Sequence, residues 1–328
     1  MKLINLLITC GGGIYTKAII ESLKSSPSSF NLFLCDSSKK SVDFVNSLGY
    51  CIDEVESAEN ISSDCYINSI SNVINKRKID YILPMSDIEA IYLKNSSYKD
   101  ITIAADQKEC CMFKNKLSTL NYLDQKKLNQ VFFFEIEHKN FKKQLSKLSE
   151  DKAYCLKPII GRGSKGFLIL SLPEVLLSMG IESSFNNHLT IDKLKSILKT
   201  NFSLFSSYLC MEYLIGDDYN IDISCDKGTL IDICIQRRDK PLHGPIIEGE
   251  VCLNLVIYDF IVEIVKRGNM SGVFNIELIL KLESNKFQPV IYEINPRASA
   301  AISFTETVCP GFIGRAIRIL KGENVPER

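Results

Sequence analysis

The sequence predicts a mixed chain, α/β at its start and α+β beyond, and three observations carry that prediction. Residues 3–9 are an apolar run, residues 10–13 read Cys-Gly-Gly-Gly, residues 15–24 follow a helical pattern, and residues 30–35 are a second apolar run closed by Asp36. Strand, glycine turn, helix, strand and acid in that order open a doubly wound parallel sheet. Later runs at 219–225, 229–237, 272–281 and 289–292 are rich in β-branched and aromatic residues and are joined by short turns, the pattern of antiparallel hairpins. Amphipathic helices at 254–267 and 312–320 supply apolar faces to cover those strands, and Lys321-Gly322 marks the second helix's stop.

The first unit continues with a helix over 69–77 and a parallel strand over 81–84. Ser86-Asp-Ile-Glu89 stands at that strand's carboxyl end, the edge where open α/β sheets bind ligands. Asp87 and Glu89 are therefore candidate substrate contacts; alternatively Ser86 or Asp87 only caps the next helix. Residues 101–104 read as one more strand. The spacing at 10–13 is not G-x-G-x-x-G, so a dinucleotide site lacks its fingerprint and the glycines serve the turn.

A helix is predicted over 110–124, carrying Lys114 and Lys116, then a strand at 131–136 and a helix at 141–148. Lys157 closes the apolar strand 153–158 and faces the loop Gly161-Arg-Gly-Ser-Lys-Gly166. Glycines at 161, 163 and 166 let backbone N–H groups approach an anion, and Arg162, Ser164 and Lys165 add donors. Two readings stand: a mobile lid over phosphates, or a solvated basic hairpin. A strand resumes at 167–170. The stretch 172–205 is polar with a helix at 191–200, and His188 reads as a surface residue.

Residues 208–214 form a strand bearing Glu212 and Leu214, followed by Ile215-Gly216-Asp217-Asp218. A carboxylate followed by free backbone can pair with the edge of a purine, and Asp218 lies where ribose hydroxyls would follow. Arg237, Arg238, Lys240 and His243 make a basic loop, either solvated or binding an anionic substrate.

The densest chemistry lies at Pro289-Val-Ile-Tyr-Glu-Ile-Asn-Pro-Arg297. Glu293, Asn295 and Arg297 follow at every second position, which sets a carboxylate, an amide and a guanidinium on one face of an extended segment. Pro296 keeps Asn295 extended. A turn at 281–288 would return this strand beside 272–281 and bring Glu277 next to Glu293. Two acids and an amide suit a hard divalent cation, and the guanidinium suits a phosphate. The bland alternative is a surface hairpin with scattered charges.

Composition narrows the function classes. Lys+Arg and Asp+Glu number 39 each, so no overall field draws the chain to nucleic acid or an acidic membrane. No apolar run reaches the ~18 residues of a membrane span, and the run at 3–8 is too short for a signal peptide. The 12 cysteines are scattered without a C-x-x-C pair. They read as reduced core thiols of a cytoplasmic protein.

Three of these stretches, in this order and spacing, resemble the ATP-grasp superfamily: Lys157-Pro158 with its glycine loop, Met211-Glu-Tyr-Leu-Ile-Gly216, and Tyr292-Glu-Ile-Asn-Pro-Arg297 with Ala-Ser-Ala-Ala after it. More narrowly the pattern is similar to one ATP-binding half of the carbamoyl-phosphate synthase large subunit, over nearly the whole chain. The resemblance implies a Rossmann-like pre-ATP-grasp domain at 1–106 and a two-part ATP-grasp domain, its core at 107–150 and 208–328 and its lid at 151–207. It implies ATP and Mg²⁺, with Mn²⁺ as an alternative. Lys116, Lys157, Gly161, Gly163, Ser164 and Gly166 would hold phosphates, Glu212 and Leu214 the adenine, and Asp218 the ribose. Glu277, Glu293 and Asn295 would be metal ligands, with Arg297 and Lys157 catalytic. The implied activity is an ATP-dependent carboxylate–amine ligase working through an acyl phosphate on small-molecule carboxylate and amine substrates. Asp87, Glu89, Arg237, Arg238 and His243 are candidates for holding those substrates. A homodimer is compatible with the family. A non-catalytic nucleotide-binding module and a carboxyl-phosphorylating enzyme are the competing readings.

Overall fold

The computed structural model of the chain describes every residue except 1–2, 14, 59, 129–130, 162–164, 180–187, 240–248, 284 and 328, and the elements, contacts and absences given for the protein are those of the described residues. The chain begins with a parallel sheet of β1 (Ile4–Ile8), β2 (Phe30–Asp36), β3 (Ile52–Glu54) and β4 (Tyr81–Leu83), in the order β3-β2-β1-β4. Helices α1 (Thr16–Lys24), α2 (Lys39–Ser47), α3 (Ser63–Arg77) and α4 (Asp87–Lys94) connect and follow these strands. Leu6, Leu7 and Ile8 are wholly buried because both faces of the sheet are covered. Asp36 closes the glycine turn itself, accepting from Gly12 N at 3.0 Å and Ser38 N at 2.8 Å.

The strand expected at 101–104 does not form. Lys99–Ile101 is a 3₁₀ turn, and Thr102 makes a single parallel bridge to Ile82. The next residues are drawn to the far sheet instead: Ala105 N donates to Pro296 O and Asp106 N to Ser271 O. The helix expected over 110–124 is broken into α5 (Gln107–Met112) and α6 (Lys116–Gln125). Asn115 makes the break by capping α6, its Oδ1 accepting from Ser118 N at 2.8 Å. Lys116 thereby starts a helix rather than riding mid-helix.

A second sheet, in the order β5-β9-β6-β7-β8, comprises β5 (Phe133–Glu135), β6 (Tyr154–Pro158), β7 (Leu168–Leu170), β8 (His188–Leu189) and β9 (Tyr208–Glu212). It carries α7 (Phe141–Leu145), α8 (Pro173–Ser178) and α9 (Ile191–Thr200), with Leu194 and Leu198 of α9 packed on Tyr154, Leu156 and Leu170. His188, expected on the surface, is half-buried in this sheet, with a ring nitrogen 2.8 Å from Ser171 O.

The third sheet is antiparallel, in the order β12-β11-β10-β13-β14, from β10 (Asp217–Asp226), β11 (Thr229–Arg238), β12 (Gly249–Val251), β13 (Gly272–Glu283) and β14 (Lys286–Asn295). Strand β10 alternates strictly. Tyr219, Ile221, Ile223 and Cys225 pack on Ile257, Ile261 and Ile264 of α10 (Leu255–Gly268). Asp218, Asn220, Asp222 and Ser224 point to the other face, which is also buried. The terminal helices α11 (Ile302–Val308) and α12 (Phe312–Leu320) return to the first sheet, where Phe312, Ile313 and Ile317 join Leu6, Ile8 and Ile20 in one core. This return fixes the first sheet against the third and sets α4 beside the end of β14.

Candidate active site

A cavity of about 230 Å³ opens between the second and third sheets. Strands β6 and β9 wall it with Cys155 and Met211, and β13 adds Ile279 opposite Leu214, so one end is an apolar slot. The other end gathers Lys116, Lys157, Glu277, Glu293, Asn295 and Arg297. Glu212 sits at the slot's rim, paired with Lys281 Nζ at 3.1 Å. Lys281 was not anticipated, although it lies four residues from Glu277 on one strand face, a signal available in the sequence. Beyond the rim the chain turns at Gly216, whose φ is +150°. A Cβ there would collide with the Leu280 carbonyl, so only glycine lets β10 start flush against β13.

Lys157, at the end of β6, is buried, and burial pushes its ammonium below the ordinary lysine range. Its Nζ lies 3.4 Å from Tyr292 O and over the Tyr292 ring. Lys116 reaches the same space from the first turn of α6, donating to Gly161 O at 2.8 Å and lying 3.4 Å from Glu293 Oε1. Gly161 and Lys165 line the cavity. Gly166 lies beside the mouth, packed against Tyr208 and Pro158. Gly163 and Ser164 lie outside the described residues, as does His243.

The expected pairing of the two acids is present: Glu277 and Glu293 face each other in the β13–β14 register. A bulge follows at once, because Leu278 faces Ile291 and leaves Tyr292 as the extra residue. The bulge turns the Tyr292 phenol into the site, 2.9 Å from Glu277 Oε2 and 3.0 Å from Asp218 Oδ1. Strict alternation hides Tyr292 in the core, so periodicity alone missed it. Asn295 gives its amide protons to Asn275 Oδ1 at 3.1 Å and toward Glu277 Oε1 at 3.5 Å. Its carbonyl oxygen is the group left to offer a ligand.

Burial raises the Glu293 carboxyl, Lys116 opposes that shift, and the neighbouring Glu277 charge adds to it. Burial would also raise Glu277. There the Arg238 guanidinium and the hydrogen bonds from Arg238 and Tyr292 prevail and hold it below the ordinary range. Arg238 Nη1 lies 3.2 Å from both Glu277 Oε2 and Asp218 Oδ2 and 3.0 Å from Tyr292 Oη, while Nη2 reaches Asn220 Oδ1 at 3.3 Å.

Three expectations are corrected by these contacts. Asp218 does not face the cavity with a free carboxylate for ribose, because it is buried and held by Tyr292 and Arg238. Glu89 offers no open carboxylate at the ligand edge. It is buried within the first sheet's core, accepting from Thr9 Oγ1 at 2.7 Å and Tyr66 Oη at 2.8 Å. Arg237 alternates away from Arg238 and pairs at the surface with Asp239 and Glu250. Asp87, in contrast, lines the cavity and lies 2.9 Å from Arg297 Nε.

The donor set fits a hard divalent cation held jointly with phosphate oxygens. Two carboxylates and an amide oxygen converge, too few for a cage made of protein alone. No group of three or more His, Cys, Asp or Glu side chains suited to a metal occurs among the described residues.

Solved structures share this arrangement of sheets. An L-amino acid ligase from Bacillus licheniformis aligns over 97% of this chain and 74% of its own, with TM-score 0.62 and 14% identity. The N5-carboxyaminoimidazole synthetase of Staphylococcus aureus aligns over 99% and 79%, with TM-score 0.64 and 16% identity. The chain has the ATP-grasp fold. The family described as "ATP-grasp in the biosynthetic pathway with Ter operon" matches residues 204–328, which hold the third sheet and three of the cavity's acids, Glu212, Glu277 and Glu293. A third solved structure of similar fold, the biotin carboxylase domain of Hydrogenobacter thermophilus 2-oxoglutarate carboxylase, was solved with MgADP and bicarbonate. It aligns over 98% and 71%, with TM-score 0.64 and 16% identity. Among curated protein sequences nothing matches this chain. No described helix is long and apolar enough to cross a membrane.

Proposed function

We propose that this protein is an ATP-dependent carboxylate–amine ligase that works through an acyl phosphate. The observation that carries the reading is the facing of Glu277 and Glu293 beside Asn295, with Lys116, Lys157 and Arg297 opening on the same cavity. An apolar slot ending in phosphate-seeking cations and hard oxygen donors is the shape of a nucleotide triphosphate site. The names of its structural relatives, an L-amino acid ligase among them, support the same class.

In this reading the slot between Met211, Leu214 and Ile279 takes the base, with Glu212 at its edge. Lys116 and Lys157 bind the phosphates. Glu277, Glu293 and Asn295 would hold Mg²⁺, which when bound neutralises charge across the phosphate oxygens. Arg297 neutralises charge on the phosphoryl group in transfer. A carboxylate oxygen attacks the γ-phosphorus and ADP leaves. The amine nitrogen then attacks the acyl carbon, the C–O bond to phosphate breaks, and the amine proton passes to water. Residues 151–207 act as the lid, over a core of 107–150 and 208–328 behind a first domain of 1–106. Closure would keep water from the acyl phosphate.

The test is release of ADP and phosphate from MgATP with amino acids and small carboxylates, offered singly and in pairs. Release that needs two substrates, with a product of summed mass less water, supports the ligase. Release with one carboxylate alone would convert the reading to a carboxyl-phosphorylating enzyme. ATP binding without release under any pairing would favour a non-catalytic module.

A further inference from the structure

We infer that Asp87, from the first sheet's edge, is the residue that binds the ammonium group of the nitrogen-donating substrate. The inference rests on the ligase reading above and adds to it where the amine sits and what charge it carries on arrival.

The argument is one of charge pairing. Four carboxylates line the cavity, those of Asp87, Glu212, Glu277 and Glu293. Each is paired within the chain: Glu212 with Lys281 at 3.1 Å, Glu277 with Arg238 at 3.2 Å, Glu293 with Lys116 at 3.4 Å and Asp87 with Arg297 at 2.9 Å. Two of these pairs are built to persist. Lys281 lies outside the cavity lining, and Arg238 is tied to Asp218, Tyr292 and Asn220 as well. The other two use cations that open on the phosphate end. A bound triphosphate draws Lys116 and Arg297 to itself, because an unscreened phosphate in a half-buried site attracts every mobile cation within reach. That releases two carboxylates. Glu293 has a use at once, since it faces Glu277 and the pair can share a divalent ion. Asp87 has no other ion pair among the described residues.

The Asp87–Arg297 pair is also loosely made. Asp87 Oδ1 and Arg297 Nε are both buried, and neither completes a hydrogen bond despite their 2.9 Å approach. A carboxylate oxygen buried without a donor is costly, and the cost rises when its counter-charge leaves. A primary amine reaches the site as an ammonium, with three donors and one positive charge, which matches what Asp87 then lacks. The location agrees. Asp87 begins α4 just past β4 and touches Arg297, so a group held there lies next to the phosphoryl end of the cavity. The ammonium gives up one proton to water before its lone pair forms the C–N bond, phosphate departs with the C–O electron pair, and the nitrogen loses its second proton to water. Asp87 holds the nitrogen and sets specificity for a cationic donor.

The test uses the full chain, MgATP and two kinds of nucleophile. Hydroxylamine is neutral at pH 7 and traps an acyl phosphate as a hydroxamate, whereas an amino acid arrives with its ammonium charged. The wild type, Asp87→Asn and Asp87→Glu are run with each proteinogenic amino acid as carboxylate, first with hydroxylamine and then with amino acids as amines. For Asp87→Asn we expect kcat/KM for the amine to fall about 10- to 100-fold, carried by KM. Its hydroxamate kcat/KM should fall clearly less than its amide kcat/KM, and Asp87→Glu should recover part of the amide loss. Equal loss with both nucleophiles would overturn the inference and make Asp87 a positioning residue for Arg297. An unchanged KM for the amine would also overturn it. If the wild type forms neither hydroxamate nor amide with any member of the panel, the ligase reading falls and the inference falls with it.

Discussion

Glu277 of β13 stands directly across from Glu293 of β14, and the two share one cavity with a different cation on each: Arg238 on Glu277 and Lys116 on Glu293. Like charges in register repel, so the arrangement is stable only with such partners or with an ion between them. Glu293→Gln keeps the shape and removes the ligand charge. Turnover of MgATP should fall by roughly 100-fold or more, a loss of about 3 kcal/mol of transition-state stabilisation, while the far-UV spectrum and melting temperature stay near wild type. Wild-type turnover in this variant would remove the metal assignment.

Tyr292 and Arg238 both hold Oε2 of Glu277, which leaves Oε1 turned toward Asn295. An outer contact of this kind orients a ligand oxygen, and its loss typically costs about 10-fold or more in metal affinity. Tyr292→Phe should therefore raise the Mg²⁺ concentration needed for half-maximal nucleotide binding by about tenfold. Metal-free nucleotide affinity should hardly move. Calorimetric titration of ADP with and without Mg²⁺ separates the two, and an equal loss in both would mean the phenol serves packing alone.

Asp218 sets a pH dependence of stability. Burial, opposed by Arg238 and reinforced by Glu277, pushes its carboxyl up to about 6 from an ordinary 3.8. Between those values the folded chain holds more proton than the unfolded one, so this group's contribution to stability falls as pH rises through the window and stays low above it. A shift of that size corresponds to roughly 3 kcal/mol at neutral pH. Asp218→Asn should flatten the loss between about pH 4 and 6 and melt no lower than wild type at pH 7. Melting temperature against pH for both proteins is the measurement; parallel curves would refute the assignment.

Lys157 offers a trade of stability for binding. Its ammonium is buried, held only by Tyr292 O and ring among direct contacts of the described residues, and pushed down by desolvation. Lys157→Met keeps length and removes the charge. The ligand-free chain should gain about 1 kcal/mol or more, and nucleotide affinity should fall by about tenfold or more. A thermal melt and an ADP titration on one preparation read both; a variant less stable than wild type would show that the lysine supports the apo fold.

Much of the site was legible because its signals are local. The alternation of Glu293, Asn295 and Arg297, the short return that sets Glu277 opposite Glu293, and the bounds of α9 and α12 depend on neighbours along the chain. The bulge at Tyr292 was not legible, since one extra residue shifts which face a side chain takes and leaves no trace in composition. Residue type also misled: Asp218 and Glu89 look like ligand-binding acids but spend their oxygens inside the fold.

The sequence by itself determined the donor chemistry, namely which carboxylates, amides and cations the chain owns and the strands that carry them. Tertiary structure alone decided which of them meet. Arg238 reaches Glu277 across β11, β10 and β13, and Asp87 reaches Arg297 because α11 and α12 fold back on the first sheet. The reason is physical. Strand alternation and helix caps are set by bonds within a few residues, whereas the pairing of charges is set by which buried faces come together, and burial is a property of the whole packed chain.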